Sequence, residues 1–158
     1  MSNIEYKIND LSDLDSLIEI SKDIFSPSAK EIDEYHNKQD WVNKIENGGL
    51  LISVYVENEL SGFTVCYVKE SGSLHIWVGG VLEKYRGLGF WSGMYKKIEE
   101  YAKDNDLKRL TLNTYKDKFP VMYKFATTHG FKCYKTEIKD NFEKSYFEKN
   151  LGTSGRDS

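Results

Sequence analysis

The sequence predicts a single α+β domain built on a mixed sheet, and three observations carry that expectation. The hydrophobic period switches between helical and strand-like stretches in the order β-α-α-β-β-β-α-β-α-β-β. Only two Pro occur among the 158 residues, so few breaks are forced inside those stretches. A hydrophobic share of 39%, with eleven Tyr and eight Phe, supplies enough apolar surface for one core.

Ile4 to Ile8 reads as a short first strand. Asn9 or Asp10 can cap the next helix, whose apolar stripe is Leu11, Leu14, Leu17, Ile18, Ile24 and Phe25, and Ser26-Pro27-Ser28 stops it. A second helix runs from about Lys30 to Asn47 on Ile32, Tyr35, Trp41, Val42 and Ile45, and Gly48-Gly49 ends it. The period then changes. Leu50 to Val56 and Leu60 to Val68 are β-rich runs joined by a hairpin at Glu57-Asn58-Glu59, and Ser71-Gly72 turns into a third run, Leu74 to Val81. Residues 91 to 103 return to helix: Trp91, Met94, Tyr95, Ile98, Tyr101 and Ala102 share one face, and Lys96, Lys97, Glu99, Glu100 and Lys103 the other. Leu110 and Leu112 mark a central strand. Pro120 suits the first turn of a last helix and Gly130 its stop, with Phe131 to Glu137 and Ser145 to Leu151 as closing strands. Residues 1–151 are expected to form the domain, and the small, polar residues 152–158 a frayed tail.

Charge and cysteine content narrow the function. A formal net charge of −3 lacks the basic signature of a duplex-DNA binder, so nucleic acid is not an expected partner. A cationic small molecule or a protein amine suits that balance better. Cys66 and Cys133 lie far apart in strand-like stretches and make no metal-binding spacing, which reads as two reduced core thiols and no metal. The start Met1-Ser2-Asn3-Ile4-Glu5 has no basic segment leading into an apolar run, and no stretch approaches the ~20 apolar residues of a membrane span. A cytoplasmic protein with no membrane partner is expected.

The informative stretch is Ile76-Trp77-Val78-Gly79-Gly80-Val81-Leu82-Glu83-Lys84-Tyr85-Arg86-Gly87-Leu88-Gly89-Phe90-Trp91-Ser92. A strand ends, a short turn follows, and a glycine-containing loop opens an amphipathic helix. Unpaired amides and the positive dipole end at such a helix start suit a pyrophosphate. Gly87 and Gly89 permit positive φ and close backbone approach. Arg86 either adds a charge-assisted contact or ties the loop down. A P-loop would need Gly-Lys-Ser/Thr where this chain has Trp91-Ser92, so that reading fails. A dinucleotide fingerprint would follow its strand directly, whereas Leu82 to Arg86 intervene here and the next strand ends in Asn113 rather than an acidic residue.

Strand, spacer and loop together resemble the GCN5-related N-acetyltransferase (GNAT) family. Its signature is a strand ending in Val, a short turn with Tyr-Arg, then (Arg/Gln)-x-x-Gly-x-(Gly/Ala). Val81, Tyr85, Arg86 and Gly89 match, and Gly87 fits the Arg-Gly variant. His129-Gly130-Phe131 is similar to the family's closing Gly-Phe, and element order agrees from Ile4 to Leu151. Trp91 departs from the usual small residue and either narrows the phosphate pocket or joins the core. The resemblance implies a mixed, mostly antiparallel twisted sheet of about seven strands flanked by about four helices. It implies acetyl-CoA as cosubstrate and an amine, small-molecule or protein, as acceptor; a homodimer is compatible with it.

On the same resemblance, the exposed backbone of Gly79, Gly80 and Val81 holds the pantetheine arm, although paired strand glycines also serve as a simple kink. Pyrophosphate contacts fall to Arg86, Gly87, Leu88, Gly89, Phe90, Trp91 and Ser92, with Lys116, Lys118 and Lys124 as candidates for the 3′-phosphate. The reaction is direct attack of a neutral amine on the thioester, with backbone N–H near Val81 polarising the carbonyl. His75, with an ordinary pKa near ~6.5, is the candidate base, or else a half-exposed strand histidine. Strand alternation puts it with Trp77 and Gly79, opposite Leu74, Ile76 and Val78. Where the family places its acid tyrosine this chain has Ala126, and an often-seen Asn is Phe119. Tyr123, one helical turn before Ala126, either takes over the proton donation or packs beside Met122 and Phe125. Glu70, Glu83 and Glu137 read as solvated charges. Phe25, Tyr35, Trp41 and Trp77 line an acceptor pocket or fill the core. Two alternatives remain: a degenerate module that binds acyl-CoA without turnover, and an acetyltransferase acting on aminoacyl-tRNA or a ribosomal protein.

Overall fold

The structure, a computed structural model, describes residues 3–25 and 38–151, apart from the side chains of 23–25. The expected start of the second helix, with Ile32 and Tyr35, the Ser26-Pro27-Ser28 stop, the Ile24 and Phe25 side chains and the tail lie outside the described residues. In chain order the elements are β1 (Ile4–Ile8), α1 (Leu14–Phe25), α2 (Lys38–Glu46), β2 (Leu50–Val56), β3 (Glu59–Glu70), β4 (Ser73–Val81), α3 (Phe90–Asp104), β5 (Arg109–Tyr115), α4 (Pro120–Thr128), β6 (Lys132–Lys139) and β7 (Phe142–Asn150). Single 3-10 turns precede α1 at Leu11–Asp13 and follow β4 at Glu83–Tyr85. Asp10 caps the first of these, accepting from the Ser12 amide.

The strands make one sheet in the order β1-β2-β3-β4-β5-β7-β6. All neighbours are antiparallel except β4 and β5. Chain connections explain the exception. Two-residue turns join β2 to β3 through Glu57-Asn58 and β6 to β7 through Asp140-Asn141, all four residues in the left-handed region. Between β4 and β5 the chain crosses over through α3, and such a crossover makes a parallel pair.

Each face of the sheet carries its own core. On one, α3 and α4 bury Phe90, Met94, Ile98, Ala102, Phe125 and Ala126 against Leu50, Ile52, Val54, Leu74, Ile76, Leu110, Leu112 and Phe147. On the other, α1 and α2 bury Leu14, Leu17, Ile18, Trp41 and Ile45 against Leu51, Phe63, Val65 and Val78. Leu14, Leu17, Ile18, Trp41, Ile45, Met94, Tyr95, Ile98 and Ala102, read from the sequence as parts of helical apolar stripes, meet these faces.

Three expectations need correction. Val78 does not share a face with Leu74 and Ile76: Val65 pairs with Val78 and Cys66 with Ile76, so Trp77 is an extra, bulged residue that resets the alternation. Cys66 is a core thiol, its pKa pushed up to about 12 by burial, but Cys133 is exposed. The reason is strand order: β7 inserts beside β5, leaving β6 outermost with both faces in solvent. The central strand also continues past Asn113 to Tyr115. Among the described residues no helix is long and apolar enough to cross a membrane.

Candidate functional site

The parallel pair is forked. Ser73 to Ile76 pair with Arg109 to Leu112, and there the ladder stops, although β4 runs on to Val81 and β5 to Tyr115. Beyond the split each strand keeps its other neighbour: Val78–Val81 remain paired to β3, and Asn113–Tyr115 to β7. The edge of β4 that faces the split is therefore unladdered from Trp77 to Val81. Its cause is local, since a bulge bends a strand and increases its twist, and the bulge at Trp77 sits where β4 leaves β5. Gly79 is required by the chain itself, because a Cβ there would stand 2.8 Å from Phe63 O and Thr64 Oγ1.

Both helix starts on the α3 face belong to the open end of the fork, since each follows the carboxyl end of one prong. Ligands of parallel sheets gather at such carboxyl ends, where neighbouring strands diverge. The loop between β4 and α3 is anchored at several points. The Leu82 amide donates to Ser61 O at 2.9 Å, Tyr85 O–H donates to Glu59, and Lys84 Nζ lies 3.3 Å from Glu59. Arg86 Nε donates to Val81 O at 2.9 Å, so this arginine ties the loop to the strand end while remaining exposed. Hydrogen bonds from Tyr85 and Lys84 hold the Glu59 carboxyl below its usual pKa.

Past these anchors, Gly87 and Gly89 take φ of +80° and +86°, where an L side chain is strained, and a Cβ on either would meet nothing within 4 Å. Gly89 is the N-cap of α3, and no side chain caps the helix. The first backbone bond of α3 runs from Gly93 N–H to Gly89 O at 3.0 Å, leaving the amides of Phe90, Trp91 and Ser92 ahead of it. Phe90 is buried and Leu88 exposed, while Trp91 packs edge-on against Phe125 with ring centroids 5.5 Å apart. The Trp91 indole thus joins the core between α3 and α4, and its buried Nε1 has no hydrogen-bond partner. Main-chain amides, a helix dipole and two bare glycines are the chemistry that suits an anion.

The proton-transfer candidates are placed differently. His75 is 4% exposed and occupies the rung opposite Thr111, the last but one before the split. Its Nδ1 lies 2.7 Å from Thr111 Oγ1. Burial, with Lys69, Lys144 and Lys44 nearby, pushes its pKa down to about 3, so it is neutral at physiological pH. Tyr123 is in the first turn of α4, its ring edge-on to Phe147 at 5.4 Å and under Lys116 Nζ at 5.3 Å. Ala126 is fully buried.

The remaining candidates lie as follows. Lys118 covers the rings of Tyr115 and Phe142, and Lys124 is exposed. Glu70 pairs with Arg109, Glu137 accepts from Tyr146, and Glu83 is exposed. Trp41 is core, stacked on Phe63 at 5.5 Å, whereas Trp77 is half-buried at the fork. No group of three metal-ligating side chains occurs among the described residues. Sequence reading missed the Trp77 bulge and the Glu59 anchor. The bulge had a signal in the adjacent apolar pair Trp77-Val78 followed by two glycines, and Glu59 had none.

Comparison with known proteins agrees with this architecture. No curated protein sequence matches the chain. Among solved structures, PaiA N-acetyltransferase from Thermoplasma acidophilum in complex with coenzyme A superposes with a TM-score of 0.76 at 18% identity, over 94% of this chain and 99% of that one. A GNAT-family acetyltransferase from Staphylococcus aureus Mu50 gives 0.73 at 16% identity, over 96% and 99% of the two chains. Ard1 from Thermoplasma volcanium gives 0.74 at 15% identity, over 94% and 97%. At these identities the likeness speaks for the fold. The family model for acetyltransferases of the GNAT family matches residues 14–131, from α1 through the fork, loop and α4, and the chain belongs to that family.

Proposed function

We propose that the protein transfers an acetyl group from acetyl-CoA to an amine at the open end of the β4/β5 fork. One observation carries the reading: the ladder ends at Ile76 and Leu112, and the uncapped, glycine-led start of α3 lies just beyond it. The β4 edge from Gly79 to Val81 would take the pantetheine arm as an added strand, and the amides from Gly87 to Ser92 the pyrophosphate. A solved structure of the same fold that carries coenzyme A supports the choice of cosubstrate.

In the reaction the amine nitrogen, neutral, attacks the thioester carbonyl. The C–N bond forms, the C–S bond breaks, and the thiolate leaves and takes up a proton. Backbone N–H near Val81 polarises the carbonyl. His75 is too weak a base to hold the amine's proton at neutral pH, so its part is to pin the fork through Thr111, and the proton goes to solvent. Tyr123, in the first turn of α4 at the open end, is the proposed proton donor to the thiolate. The buried Ala126 favours a second reading, binding without turnover.

Calorimetry with acetyl-CoA together with thiol release over an amine panel separates the two. Binding with turnover supports transfer, and binding without turnover on any amine supports the module. Tyr123→Phe should lower kcat about tenfold or more and leave coenzyme A affinity unchanged.

A further inference from the structure

A cation already sits against the sheet face opposite α3. Lys44 and Asp40, one turn apart in α2, form a pair in which Nζ lies 2.9 Å from both carboxylate oxygens. A pair of this kind on a helix surface ordinarily extends into solvent and contributes little. Here the ammonium also folds over two rings, 4.5 Å from the Trp77 centroid and 4.9 Å from that of Tyr67. Those rings stand at 86° to each other with centroids 6.1 Å apart. Two π faces at right angles beside a carboxylate form a seat for an alkylammonium ion. The seat borders an open hollow of about 230 Å³ lined by Asn43, Lys44, Asn47, Tyr67 and Val68, which gives room for exchange.

The seat adjoins the fork. Trp77 is the bulged residue at which β4 leaves β5, and Gly79 to Val81 follow along the strand, roughly 7–13 Å away. The seat lies on the face covered by α1 and α2, and the start of α3 on the other. Thioester and acceptor would therefore meet in the fork from opposite sides of the sheet.

We propose that the acceptor is an amine carrying a second fixed positive charge, whose distal ammonium takes the place of Lys44 Nζ between Tyr67 and Trp77 and against Asp40. This rests on acetyl transfer at the fork and names the class of its substrate. Lys44 is then an internal competitor. A diamine displaces it with one ammonium and presents its other nitrogen at the open edge, whereas a monoamine in the seat has no nitrogen left to react.

The test compares 1,6-diaminohexane with hexylamine, by kcat/KM at fixed acetyl-CoA and by calorimetric binding with and without coenzyme A. The expected result is a preference of about tenfold or more for the diamine, widening several-fold in Lys44→Met through a lower KM for the diamine alone. Trp77→Leu should abolish the preference. Equal kcat/KM for the two amines in the unaltered protein, or a Lys44→Met change that moves both equally, overturns the proposal. If acetyl-CoA binds and neither amine does, the seat is wrong and transfer at the fork stands. If acetyl-CoA fails to bind, transfer is wrong, and the diamine titration still decides the seat.

Discussion

The two ends of the β4/β5 pair are built from the same strands and do opposite things. At the closed end four rungs pair, and Arg109 locks them. Its Nε donates to Ser73 Oγ at 2.9 Å, one terminal nitrogen lies 2.6 Å from Glu70 and the other 3.3 Å from Glu148. Gly72 O accepts the Lys108 and Arg109 amides, and Leu74, Ile76, Leu110 and Leu112 are buried beneath. At the open end a bulge and two glycines replace that packing, and the exposed loop residues Arg86 to Gly89 replace the clamp. Packing is concentrated where the strands pair, and unpaired backbone groups are concentrated where they part. One end is filled by side chains, the other by main chain.

Changes at either end should separate these properties. Leu112→Ala removes a fully packed side chain from the closed end and should cost about 2–5 kcal/mol, read as a fall in Tm, while the folded protein keeps its coenzyme A affinity. Gly89→Val does the reverse. A β-branched residue at φ +86° strains the α3 start and covers its amides, so coenzyme A affinity should fall about a hundredfold in calorimetry with a smaller loss of Tm. If the two variants exchanged their effects, the division of labour between the ends would be wrong.

His75, at the boundary, should add an acid sensitivity. Folded, it stays neutral down to about pH 3, whereas an unfolded histidine takes up a proton near ~6.5. The unfolded state therefore binds more protons between those values, and stability falls as pH drops from about 6.5 toward about 3. The slope from this group approaches about 1.4 kcal/mol per pH unit. Denaturant melts of His75→Gln across this range should lack that share of the slope, and an unchanged slope would mean the ring is not buried and neutral. The smallest effect is expected at Glu59, an exposed residue that steadies the loop through Tyr85 and Lys84. Glu59→Gln should raise KM for acetyl-CoA only a few-fold and leave kcat unchanged.

What the sequence disclosed and what it hid divide along physical lines. Strand and helix spans, the helix-opening glycines and the hairpin at Glu57-Asn58 are written in neighbouring residues, through periodicity and allowed φ. The Gly79-Gly80 pair marked a departure from regular strand, but not that the departure begins at Trp77 and carries Val78 to the other face. That depends on how β3 pairs across it. His75 read as either a base or a half-exposed strand histidine because its burial and its bond to Thr111 are made by a strand 36 residues away. Cys133 looked buried because its exposure follows from β7 slipping between β5 and β6. Local signals described the elements, and non-local pairing decided which of their groups meet water.

Amide hydrogen exchange with and without coenzyme A, read residue by residue, tests the central claim most directly. The expected result is that the amides of Gly79 and Val81, which alternate away from β3, and of Gly87 to Ser92 gain protection when coenzyme A is added, while those of Ser73 to Ile76, already paired, do not change. Coenzyme A binding that leaves the open edge and the start of α3 unprotected, with new protection elsewhere, would contradict it.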